Sequence, residues 1–355
     1  MRNSPQRHPA RRPWLRPWQL LSLAVLLACL SFCGVPIAQA PLVPHTPPEP
    51  ATATAVAAPT VGLAPETAPI VTLDPAAPRR IGLQAGHWRI EEHPDEQASL
   101  RRFSGAYYRG YDEWELNIII ARQTMERLED AGVTVDLLPA MVPPGYLADG
   151  FVSIHVDGAT GAQAATRRGW KLATPFRASA ASLALAEEMS AAYPRITGLP
   201  EDPHGPSYDM RAYYAFAYYR YHHSIAPETP AVILEAGFMT HPADRELLFG
   251  RPDLIAEGIA RGVLDYLAGY DPADAAARAP AGRTLLRPAR EGAPLYARPD
   301  EQSAIECLLA RHERLAPMAD TSGWVLVFTR GGNWDLGWVR SVDVEDTGEP
   351  LAPRP

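Results

Sequence analysis

Apolar positions along the middle of the chain fall into short unbroken runs that alternate with helical repeats. Ile81-Gly82-Leu83-Gln84 is a brief apolar run that stops at Ala85-Gly86-His87, which predicts a buried strand breaking into a loop. Between Glu113 and Glu129, Leu116, Ile119, Ile120 and Leu128 recur at helical spacing, and Ala131-Gly132 supplies a stop. Val133-Thr134-Val135-Asp136-Leu137-Leu138, Phe151-Val152-Ser153-Ile154-His155 and Ala231-Val232-Ile233-Leu234-Glu235 predict three more strands. The alanine-rich stretch from Ala178 to Tyr193 and the stretch from Asp253 to Tyr266 predict helices. This order over residues 80–270 predicts an open, mostly parallel α/β sheet with helices on both faces.

From Thr284 to Asp346 the pattern changes to short strands separated by turns. Pro294-Leu295-Tyr296, Gly323-Trp324-Val325-Leu326-Val327-Phe328 and Leu336-Gly337-Trp338-Val339 are the clearest runs, and Gly331-Gly332-Asn333 is a turn between two of them. They predict a small all-β barrel over 284–346, followed by a tail, 347–355. A Pro/Ala break over 271–283 separates it from the sheet.

Proline makes up 37 of the 355 residues, too many for one packed core. Residues 41–79 absorb much of the excess in a Pro/Ala/Thr-rich tether without periodicity. Before it, residues 1–40 hold five arginines and no acid. They continue into an uncharged stretch from Trp18, most apolar between Leu20 and Cys33, and end on Ala38-Gln39-Ala40. This is the pattern of a secretory signal peptide, with a retained membrane anchor through residues 18–40 as the alternative. Both predict work outside the cytoplasm. Cleavage would remove the five arginines and move the formal charge from -8 to -13, and would leave Cys307 without an internal disulfide partner. That acidity argues against nucleic acid as a partner, and a hydrophobic share of 46% excludes wholesale disorder.

Ligands of open α/β sheets gather at the carboxyl ends of strands. Three of the predicted strands end on or just before His87, His155 and Glu235. Two histidines and a carboxylate there predict a three-ligand zinc site with one open position, where a further carboxylate can take a proton from water. Glu113 and Glu235 are the candidates for that carboxylate. Among the other histidines, His93 reads as a solvated residue of an acidic loop, His204 as exposed, and His222 and His223 as packing residues after a tyrosine-rich stretch.

Four motifs, in order, resemble those of the zinc-dependent N-acetylmuramoyl-L-alanine amidases. They are Ile81-Gly82-Leu83-Gln84-Ala85-Gly86-His87, Glu113-Trp114-Glu115-Leu116-Asn117, Phe151-Val152-Ser153-Ile154-His155, and Pro230-Ala231-Val232-Ile233-Leu234-Glu235-Ala236-Gly237-Phe238. The resemblance implies zinc held by His87, Glu113 and His155, with Glu235 as the catalytic carboxylate. It further implies hydrolysis, in peptidoglycan, of the amide between N-acetylmuramic acid and L-alanine. The alternatives are a zinc peptidase or other amidohydrolase acting within the stem peptide, and a wall-binding relative without turnover.

The chain departs from that family at several positions. Gln84-Ala85 stands where Asp-Pro is usual, and Trp88 where Gly is usual. Trp88, Asn117, Arg211 and Arg220 are the candidate substrate-binding residues, the arginines for the carboxylates of a stem peptide. The two Gly-Trp-Val runs of the C-terminal segment resemble bacterial SH3-like domains, which implies wall or peptide binding, with Trp334 as a candidate contact.

Overall fold

The strand predicted from the first apolar run, β1 (Arg80–Ala85), is the second of five in the main sheet. The computed structural model describes residues 76–282, 284–330 and 336–353. The signal or anchor, most of the tether, and Trp334 with its Gly-rich turn lie outside the described residues. Two segments of 3-10 helix follow β1 between Ile90 and Arg102, then a hairpin of β2 (Tyr107–Tyr108) and β3 (Tyr111–Asp112), helix α1 (Glu113–Asp130) and strand β4 (Thr134–Leu138). Next come β5 (Gly150–Asp157), β6 (Lys171–Ala173), α2 (Ala180–Thr197), the single turn α3 (Tyr208–Arg211) and β7 (Ala231–Phe238). Helices α4 (Pro242–Gly250), α5 (Pro252–Gly269) and the short α6 (Ala275–Arg278) complete this part.

The sheet order is β4-β1-β5-β7-β6. The first four strands are parallel, and β6 pairs antiparallel with β7 at the edge. Side chains alternate across a strand, and here the alternation is complete. Ile81, Leu83, Val152, Ile154, Val156, Val232, Leu234 and Ala236 share a core with Leu116, Ile120, Leu185, Met189, Ile259 and Val263 of the three long helices. Phe151, Ala231 and Ile233 face the other way, against Met210, Ala215, Phe216 and Ile225.

The three long helices therefore lie on one face, which corrects the expectation of helices on both. The opposite face is covered by a strap, residues 208–226, that forms only α3 and a 3-10 turn, because Met210, Ala215 and Phe216 are not spaced to sustain an amphipathic helix. Ile119, assigned above to the helix's apolar stripe, is 43% exposed; Leu116, Ile120, Ala121 and Leu128 form the buried stripe. Helix α2 runs a turn past Tyr193, ending at Gly198 in the left-handed conformation.

Beyond α6, seven strands form one antiparallel sheet: β8 (Thr284–Pro288), β9 (Ala293–Tyr296), β10 (Ile305–Leu309), β11 (Arg314–Thr321), β12 (Trp324–Arg330), β13 (Leu336–Arg340) and β14 (Val344–Pro350). The last strand reaches into the stretch expected to be a tail. One apolar cluster fills this module with Leu295, Leu309, Leu315, Val325, Val327 and Val339. A second joins its Leu285, Tyr296, Phe328 and Trp338 to Ala217, Tyr218, Tyr219 and Tyr221 of the strap. Among the described residues, no helix is long and apolar enough to cross a membrane.

Candidate metal centre

β1 ends at Ala85, and Gly86 ties the following turn to β5 by donating its N–H to Ile154 O at 2.9 Å. Glycine is needed here because a Cβ would overlap the His155 ring. His87 then takes a left-handed φ of 59°, a conformation that a non-glycine residue holds only where its surroundings enforce it. Its Nδ1 lies 2.6 Å from Phe103 O. A carbonyl oxygen only accepts, so Nδ1 carries the proton and Nε2 is left with a lone pair. Nε2 points to Glu113 Oε2, 3.6 Å away.

Glu113 opens α1, directly after Asp112 at the N-cap. Glu115, two residues on, accepts from the Asp112 N–H at 2.9 Å and so serves the helix start. The Glu113 carboxylate is buried and well supplied with donors. Oε2 accepts from Ala106 N at 2.7 Å, and Oε1 from Asn117 Nδ2 at 3.1 Å and Val156 N at 3.3 Å. His155 Nδ1 lies 2.9 Å from Oε1. Burial alone pushes this carboxyl up, but the His155 hydrogen bond and the two nearby imidazoles prevail and pull it down to about 2. Burial likewise lowers the pKa of His87, with Glu113 opposing.

One ligand atom from each of His87, Glu113 and His155 lies within 4.8 Å of the others. The donor set fits a divalent cation. Two imidazole nitrogens and a carboxylate are the ligands of a three-coordinate zinc site with an open position. Each imidazole has its other nitrogen engaged by an oxygen, Phe103 O for His87 and Tyr213 Oη for His155, which is how ligating histidines are usually oriented. Gly105, at φ 81°, leaves the room: a Cβ there would collide with the Glu113 carboxylate and the His87 ring.

Glu235 is the register partner of His155 on the adjoining strand. Its Oε2 is out of solvent and has no hydrogen-bond partner. Burial, then the charges of Asp157 and Glu113, push its pKa well above the usual carboxylate range, while Lys171 opposes them. Lys171, the only lysine of the chain, is a residue that sequence reasoning passed over. It sits opposite Glu235 in the β6–β7 register, 7% exposed, ion-paired with Asp157 and 3.6 Å from Asp202.

Residues 145–265 match the family described as N-acetylmuramoyl-L-alanine amidase (Amidase_3). The matched span contains His155 and Glu235; His87 and Glu113 precede it. No curated protein matches the chain. Among solved structures, it is similar to an N-acetylmuramoyl-L-alanine amidase from Clostridium difficile 630, at 20% identity over 54% of this chain and 98% of that one, with a TM-score of 0.40. It is also similar to AmiC2 of Nostoc punctiforme (22%, 54% and 97%, 0.38) and to Ami1 from Mycobacterium smegmatis (18%, 54% and 98%, 0.41).

The remaining candidates are dispersed. Asn117 is fully buried and holds the floor of the cluster, donating to Gly86 O at 3.0 Å as well as to Glu113. Trp88 packs against the main core, with the Arg89 guanidinium 5.6 Å from its ring. Arg211 lies over Phe176, and Arg220 over Tyr221 and Phe328 of the C-terminal module. Arg220 also borders a cavity of about 320 Å³ with Asp209, Tyr213 and Tyr214.

His93, expected in solvent, is 2% exposed. It bonds Gln97 at 2.8 Å and meets the Tyr214 ring edge-on, because its acidic loop folds onto the strap: Glu96 accepts from the backbone N–H groups of His222 and His223. The sequence showed these acids and histidines but not that they pair.

Proposed function

We propose that this chain is a zinc-dependent N-acetylmuramoyl-L-alanine amidase that hydrolyses the amide between N-acetylmuramic acid and L-alanine in peptidoglycan outside the cytoplasm. The observation that carries the reading is the juxtaposition of a His-Glu-His donor set with the unpartnered carboxylate oxygen of Glu235. The family match over 145–265 supports the choice of reaction.

His87 Nε2, Glu113 and His155 Nδ1 would hold the ion. When bound, it supplies a Lewis acid that polarises the scissile carbonyl and makes water more acidic. The protein's own groups do the rest. Glu235, once ionised, is the base that takes the proton of the attacking water. Its raised pKa suits it to hand that proton on to the departing L-alanine nitrogen. Asn117 and the Ala106 N–H keep the Glu113 carboxylate aimed, and Phe103 O fixes His87.

Digestion of purified sacculi tests the reaction. Free lactyl carboxylates together with new L-alanine amino termini are expected. A new amino terminus inside the stem peptide would show a peptidase instead, and release that survives chelation would exclude the metal.

A further inference from the structure

We infer that Tyr213 is a positioning residue that selects the tautomer of His155, keeping the proton on Nε2 so that Nδ1 is free to face Glu113 as a donor to a cation; this rests on the metal-site reading above.

The hydrogen bonds around Tyr213 have a direction. Gln84 Nε2 donates to Ala140 O at 2.7 Å, which orients the amide and turns Oε1 toward Ser153 Oγ and Tyr213 Oη. An amide oxygen only accepts. The hydroxyls of Ser153, at 2.7 Å, and Tyr213, at 3.0 Å, therefore both donate to Gln84 Oε1 and fill its two lone pairs. Two other oxygens lie near Tyr213 Oη: Ser153 Oγ at 3.3 Å, whose shorter bond is the one to Gln84 Oε1, and Tyr214 Oη at 3.1 Å, which is itself committed to Ala140 O at 2.7 Å. With its single proton spent away from His155, the Tyr213 oxygen offers a lone pair to His155 Nε2, 3.1 Å away.

This matters because the other nitrogen faces a competitor. With no cation present, Nδ1–H donating to the Glu113 carboxylate is a charge-assisted bond that favours the opposite tautomer. An acceptor at Nε2 lowers the cost of moving the proton there when Nδ1 takes a cation. Tyr213 is well placed to hold its line: its ring is wedged between Tyr214 (centroids 4.4 Å apart) and Phe216 (5.5 Å), and stands perpendicular to the His155 ring. Gln84, which stands where the resembled family has an acid, thus acts on His155 through Tyr213.

The test measures zinc affinity by chelator competition, and the protonation of His155 by ¹⁵N imidazole spectra of the zinc-loaded full chain. Tyr213→Phe keeps the ring and removes the acceptor. It is expected to weaken zinc binding about ten- to a hundredfold, the usual effect of losing such a partner. In the wild type, His155 is expected to carry its proton on Nε2. Equal zinc affinity in Tyr213→Phe, or a wild-type proton on Nδ1, overturns the inference while the metal site stands. A wild type that takes up no zinc overturns both. If Tyr213→Phe does not fold, Gln84→Met, which removes the acceptor of the Tyr213 proton, is expected to weaken zinc binding as well, and unchanged affinity there overturns the inference.

Discussion

His155 and Glu235 are partners in the register of two parallel strands, so a histidine facing a carboxylate-bound site and a partnerless acid emerge side by side from one rigid sheet. Backbone pairing, and no mobile loop, sets their spacing. On the proposed mechanism, that arrangement separates the holding of an ion from the handling of a proton.

Glu235→Gln should separate the two roles in solution. The amide keeps the shape and loses the base, so kcat is expected to fall about a hundred- to ten-thousandfold while zinc content stays at the wild-type level. His155→Ala should lose both. Metal analysis beside turnover of muropeptides checks this pair.

The pH profile should carry the mark of Lys171. Glu235 is a base only when ionised, and its pKa is raised, so kcat/KM is expected to fall with decreasing pH from a point above the ordinary carboxylate range. Lys171 lowers that pKa. Lys171→Met should therefore move the acid limb to higher pH, and an unmoved limb in kcat/KM would remove Lys171 from the argument.

Acid should unfold the metal-free protein in two stages. Burial lowers the pKa of His87 from 6.5, so the stability gained by keeping it neutral is complete above that pH and declines as pH falls below it. The Glu113 carboxyl, lowered from 4.5 to about 2, adds a second loss across that interval. Urea midpoints measured between pH 8 and pH 3 are expected to drop, and Glu113→Gln should flatten the lower part of the curve.

The C-terminal module should report on the same site from a distance. Trp338 is 5% exposed in the cluster that joins the module to the strap bearing Tyr213. Trp338→Ala is expected to cost about 3–5 kcal/mol and to reduce turnover of a soluble muropeptide. If the module served wall binding alone, the variant would lose binding to sacculi and keep both its melting temperature and its turnover.

The sheet was legible because its strands are short apolar runs, and His87, His155 and Glu235 stand at the predicted strand ends, although β5 runs on to Asp157 and β7 to Phe238. Glu113 stands out in the sequence as a candidate carboxylate, but only the family motif marks it, and not Glu115, as a metal ligand. Lys171 escaped because three residues of edge strand carry no periodicity, although the register with β7 puts it opposite Glu235. His93 and Tyr213 escaped for another reason. Their partners lie far along the chain, Tyr214 for His93 and His155, 58 residues away, for Tyr213, and the strap that joins them has no regular repeat to read.

That strap has one further consequence. The Pro/Ala break before the antiparallel module marks, in the sequence, a place to cut two independent beads apart. Yet Tyr296, Phe328 and Trp338 spend their aromatic surface on Tyr218, Tyr219 and Tyr221 of the same chain. A module exchanged for another at that boundary would leave bare tyrosines on one side and an unmatched face on the other. The two parts should therefore be inherited and engineered as a unit, and shuffling at residues 271–283 should yield insoluble chimeras unless the strap travels with the antiparallel module.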